Sequence, residues 1–94
     1  MSSRPEIALL GFAPAGGIER RPRLHGWAKF KIDEFVVDGF VVRVDALGVY
    51  RLEFPAHFDR DGRRHVVLRH ADRRKDRELL ARLLAALKRA GRLP

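Results

Sequence analysis

Apolar and polar residues alternate most regularly between Leu24 and Ile32. Leu24, Gly26, Ala28, Phe30 and Ile32 fall on one side, and His25, Trp27, Lys29 and Lys31 on the other. A period of two is that of a β-strand with one buried face. Upstream, the apolar run from Glu6 to Phe12 lies between Pro5 and Pro14 and is too short for a helix, so it reads as a strand. Pro14, Gly16, Gly17 and Pro22 then mark a loop from Ala13 to Arg23. Phe35 to Val44 carries Val and Phe on both faces, which predicts a central strand with a bulge or tight bend at Asp38-Gly39. The turn Asp45-Ala46-Leu47-Gly48 leads into a strand from Val49 to Phe54. A second turn ends at Asp61-Gly62, ahead of a strand from Arg64 to Leu68.

After Asp72 the period changes. At 100° per residue Leu79, Leu80, Leu83, Leu84 and Leu87 share one arc, and Arg74, Lys75, Glu78, Arg82 and Arg89 lie opposite. Asp72 suits an N-cap and Gly91 the residue after the C-cap. Glu78 and Arg82 stand at i,i+4, a spacing worth roughly 0.2–0.5 kcal/mol when the charges pair. The expected architecture is α+β: one domain spanning residues 1–94, with an antiparallel sheet of four to five short strands in a meander and a C-terminal amphipathic helix packed on it. A chain of 94 residues supports only a thin core, so pairing into a homodimer is expected.

The residue inventory removes most chemistry. Without cysteine there is no disulfide framework, thiolate nucleophile or iron–sulfur cluster, and a reducing cytoplasm is the expected setting. Ser2 and Ser3 are the only aliphatic hydroxyls, so covalent Ser or Thr catalysis has no candidate. Asp33 and Glu34 are neighbours in a turn and point apart, which is wrong for an acid/base pair. Gly16-Gly17 lacks the following Lys of a phosphate-binding loop. Asp59-Arg60-Asp61-Gly62 has the opening spacing of a calcium loop, but no bidentate Glu follows and Arg60, Arg63 and Arg64 would repel the ion. His57, His65 and His70 match no zinc spacing. No catalytic residue, metal, cofactor or small-molecule substrate is therefore expected. Pro5 and Glu6 interrupt the order of a secretory leader, and no stretch approaches the roughly 20 apolar residues of a membrane span.

Charge supplies the positive signal. The formal net charge is +8, and residues 1–54 hold 8 Lys and Arg against 7 Asp and Glu, whereas residues 55–94 hold 12 against 5. A polyanion would be drawn to that second part of the chain. His57, Phe58, Arg60, Arg63, Arg64, His65 and Arg69 lie along its loop and hairpin, where an aromatic can stack on a base while guanidinium groups hold phosphates. Arg73, Arg74, Lys75 and Arg77 cluster at the helix start, against the helix dipole, where a bound anion would relieve them. Trp27 with Lys29 and Lys31 forms a smaller second patch, with Trp27 expected to be buried or at a dimer contact.

From Ala28 to Leu87 the sequence resembles the bacterial stage V sporulation protein G (SpoVG) family. Ile32-Asp33-Glu34-Phe35-Val36-Val37 is similar to that family's Leu-Asp-x-x-Phe-Val-Val segment with one residue fewer, and Pro55, Asp61 and Gly62 align with its Pro-Ser-Lys-Arg-Thr-Pro-Asp-Gly loop. The strand around Val67, the cap at Asp72, and Leu79 and Leu83 follow in the same order. The resemblance implies an antiparallel sheet with a C-terminal helix, a homodimer, and binding of DNA or RNA in gene regulation through the basic loop. In this chain His57 and Phe58 replace the family's Lys-Arg pair, Arg60 its second Pro and His65 its later Arg, with Arg63 and Arg64 alongside. The competing expectation is an assembly factor, for instance in septation, whose basic surface meets an acidic protein.

Overall fold

The computed structural model describes residues 4–16, 23–66 and 71–93, and the backbone alone for Phe58, Arg64 and Val66. Four strands, β1 (Ile7–Pro14), β2 (Leu24–Ile32), β3 (Phe35–Val44) and β4 (Tyr50–Glu53), form one antiparallel sheet in the order β1-β2-β3-β4. A short ribbon follows, β5 (Ala56–Phe58) paired with β6 (Arg64–Val66), and then the helix α1 (Arg73–Arg89). The fold is α+β, with the helix packed on one face of the four-stranded sheet.

From Gly26 to Ile32 alternation in β2 places the side chains as the sequence requires, but a bulge at His25 breaks it, and His25 turns toward the end of the helix instead of sharing the face of Trp27. Gly26, Ala28 and Phe30 are buried under the helix, and Lys29 and Lys31 are exposed on the other face. Trp27 is on that open face, half-buried, between Ala13 of β1 and Val41 of β3. The bulge in β3 falls where the sequence places it: Asp38 and Gly39 together oppose Lys29, and Gly39 takes φ 91°. Beneath the helix, Phe30, Phe40, Val42, Leu83 and Leu87 are fully buried, with Ala28, Leu52 and Phe54 completing the core. Phe40 packs edge-on to Phe30, with ring centroids 5.4 Å apart, and at a tilt to Phe54 at 5.7 Å.

The strand expected from Arg64 to Leu68 does not extend the sheet. Its described residues pair with Ala56–Phe58, a segment that reads as loop in the sequence because three residues are too few to show a period. Pro55 separates this ribbon from β4; it has no N–H for a ladder, and both it and Phe54 are buried. Val67 and Leu68 lie outside the described residues.

Both ends of α1 are as its sequence predicts. The Asp72 side chain accepts the Arg74 amide. At the other end the Arg92 amide donates to Leu87 O and the Gly91 amide to Lys88 O, a Schellman closure that needs the left-handed φ of 73° at Gly91. Arg82 departs from expectation. Its Nη1 donates to Pro5 O at 2.8 Å, which fastens mid-helix to the start of β1, and it forms no ion pair with Glu78. At the C-terminal end His25 lies between Phe12 and Tyr50, with its Nε2 donating to Arg92 O at 2.9 Å.

Gly26 lies where β1 crosses closest: a Cβ there would stand 2.5 Å from Ala13 O and 2.7 Å from the Phe12 ring. A backbone oxygen cannot swing away, so Gly26→Ala is expected to cost about 1–3 kcal/mol. Urea and thermal unfolding check this, with the midpoint falling by about 4–8 °C per kcal/mol.

Candidate nucleic-acid interface

The ribbon is built around one carboxylate. Asp59 Oδ1 accepts the amides of Asp61 and Arg63, each at 2.9 Å, while Asp59 N donates to Arg63 O and Gly62 N to Asp59 O. Gly62 takes φ 79°, a left-handed conformation that a side chain disfavours. The other oxygen, Oδ2, accepts from His65 Nε2 at 2.8 Å. The His65 hydrogen bond, followed by that of the Arg63 amide, holds the Asp59 carboxyl below its ordinary range.

The β3–β4 turn repeats the device. Asp45 Oδ1 accepts Leu47 N and Val49 N, Asp45 N donates to Val49 O, and Gly48 takes φ 82°. Its Oδ2 faces Arg51 Nη2 at 4.0 Å, so each turn sets a basic residue of the next strand beside its aspartate. The Val49 amide is the leading cause of a lowered Asp45 carboxyl. The signal Asp-x-x-Gly is visible twice in the sequence, but the partners Arg51 and His65 are not.

With Asp59 committed to its own turn, Arg60 and Arg63 are exposed on the ribbon. His57 and His65 face each other across the strands with rings stacked at 5.4 Å. Phe58 and Arg64 are Cα partners in the same ladder. Arg73, Arg74, Lys75 and Arg77 are exposed on the first turns of α1. Arg69 lies outside the described residues, as does His70.

The ion pairs among the described residues are Lys29–Asp38 at 3.9 Å, Arg43–Glu53 at 3.0 Å, Arg51–Asp45 and His65–Asp59, and none of them uses Arg60, Arg63, Arg73, Arg74, Lys75 or Arg77. The open sheet face therefore has most of its cations matched by carboxylates, whereas those of the ribbon and helix start face solvent. The two basic clusters belong to separate elements. The ribbon packs mainly within itself, and the helix on β4 and β1. At the helix start Asp72 already supplies an anion to the exposed amides, which answers the dipole from within the chain. No three His, Asp or Glu side chains among the described residues come together as a metal-holding group.

Asp59→Ala removes both oxygens from the ribbon turn. Hydrogen exchange at the Asp61 and Arg63 amides is expected to accelerate, while Leu47 and Val49 in the twin turn stay protected. Because both aspartates titrate below the ordinary carboxylate range, their contribution to folding is present above that range and lost as pH falls through each lowered value; carboxyl NMR titration reads this directly.

Comparison with protein-family models, with curated proteins and with solved structures finds no match for this chain.

Proposed function

We propose that this protein is a nucleic-acid-binding regulator of the cytoplasm, acting as a homodimer and without catalysis, with DNA as the first partner and RNA as the second. The observation that carries the reading is the contrast in charge pairing. Lys29, Arg43 and Arg51 on the sheet have carboxylate partners, whereas Arg60 and Arg63 on the ribbon and Arg73, Arg74, Lys75 and Arg77 on the helix start have none among the described ion pairs. A folded domain gains little from exposed, unmatched guanidinium groups, while a phosphate backbone gains charge-assisted hydrogen bonds from them. The resemblance to the SpoVG family over Ala28 to Leu87 supports the same partner class. Among the described residues no helix is long and apolar enough to cross a membrane.

In this reading Arg60, Arg63 and Arg64 are the phosphate-binding residues of the ribbon segment, and Phe58, His57 and His65 are its aromatic residues for stacking on bases. Contacts of this kind position a backbone without reading sequence. Titration with duplex and single-stranded oligonucleotides is expected to give a slope of log K against log salt near −5 on duplex for six phosphate contacts, and a shallower one on single strands. Arg63→Ala with Arg64→Ala should weaken binding to all sequences equally and flatten the duplex slope by about 1.8. Absent binding, or a double variant with undiminished affinity, would turn the reading toward an acidic protein partner or another surface.

A further inference from the structure

The two Asp-x-x-Gly turns share one backbone and present opposite surfaces. Ala46, Leu47 and Val49 stand where Arg60, Asp61 and Arg63 stand in the ribbon. The ribbon turn shows that this geometry is formed equally well by charged residues, so nothing in the turn itself calls for apolar ones. Yet Leu47 is 89% exposed, the most of any large hydrophobic described, and Val49 is 51% exposed. Next to them, between β4 and the helix, runs an open groove of about 450 Å³ lined by Gly48, Tyr50, Ala81, Leu84, Lys88 and Leu93. A rigid apolar knob thus lies on the rim of an apolar groove.

We propose that this turn and groove are the contact with a second copy of the chain. A knob and a hole side by side satisfy each other twice across a two-fold axis, so Leu47 of one protomer enters its partner's groove and the reverse. Charge agrees with this placement. The entering turn carries the Asp45 carboxylate at its base, where Oδ1 serves the turn and Oδ2 faces Arg51 at 4.0 Å, and the receiving groove carries Lys88. Copies with net charge +8 repel most at the ribbon and helix start, which lie away from this turn. A four-residue turn seated on each side buries well under the ~800 Å² per partner of a standard interface, so the dimer is weak and concentration-dependent. The proposal rests on the pairing half of the functional reading and requires nothing of its nucleic-acid half.

Analytical ultracentrifugation of the full chain without nucleic acid, from low micromolar to near-millimolar concentration, tests it. Leu47→Asp gives this turn the residue already present at Asp61 in its twin, so the variant keeps its fold. Ala81→Glu puts charge into the groove from an exposed helix position. Each is expected to raise the dimer dissociation constant at least tenfold. The single tryptophan, Trp27, lies on the face away from the helix, so its emission should not change on dilution. A dimer indifferent to both substitutions, or a Trp27 emission shift on association, overturns this contact and leaves pairing through another face. A monomer at every concentration overturns contact and pairing together, while the salt titration continues to judge the nucleic-acid reading.

Discussion

One contact holds this protein together: the leucine stripe of α1 against the aromatic and β-branched residues of a single sheet. Leu83 and Leu87 are fully buried against Phe30, Phe40 and Val42, and no second helix shares the load among the described elements. Burying such a side chain is worth about 1.5–3 kcal/mol, and a domain of this size has only a narrow margin over its lost entropy. The helix is accordingly fastened by more than its apolar stripe. Asp72 and the Gly91 closure fix its ends, Arg82 ties its middle to the Pro5 carbonyl, and His25 ties its exit to β2. A sheet with no opposing layer among the described elements depends on such lateral ties to hold its edge strands in place.

The turns solve a different problem at low cost to that core. In each, one aspartate oxygen accepts two amides that the reversal would leave without partners, and the glycine takes the conformation other residues avoid. The intervening positions are then free of structural duty. They carry Ala46 and Leu47 in one case and Arg60 and Asp61 in the other. Two copies of one local solution thereby become an apolar surface and a cationic one.

What was legible in the sequence follows from how far apart the interacting residues are. The alternation from Gly26 to Ile32, the bulge at Asp38-Gly39, the N-cap at Asp72 and the closure at Gly91 all rest on neighbours within a few positions and appear where the pattern puts them, whereas the bulge that turns His25 to the helix side has no local signal. The ribbon strand Ala56–Phe58 was hidden because three residues show no period and Pro55 disguises them as loop. Arg82 reads as a solvated partner of Glu78 because nothing local reveals that Pro5, 77 positions away, offers a carbonyl. His65 was legible as a basic residue near the hairpin, yet its hydrogen bond to Asp59 depends on the register of a ribbon that the pattern did not show. For the same reason the basic residues could be counted from the sequence but not sorted into matched and unmatched ones.

That sorting bears on how such a surface can change. The cations of the open sheet face are coupled to strand pairing: Arg43 and Arg51 are Cα partners across β3 and β4, and Val41 opposite Glu53 sits in the same ladder. Altering them disturbs charge balance beside Trp27 and the register of the sheet. Arg60 and Arg63 stand on a turn whose form is set by Asp59 and Gly62 alone. Their number and spacing can vary while the core remains as it is. A fold with so little buried volume gains from this separation, because residues that must be free to meet a partner are kept off the elements whose packing decides whether the chain folds at all.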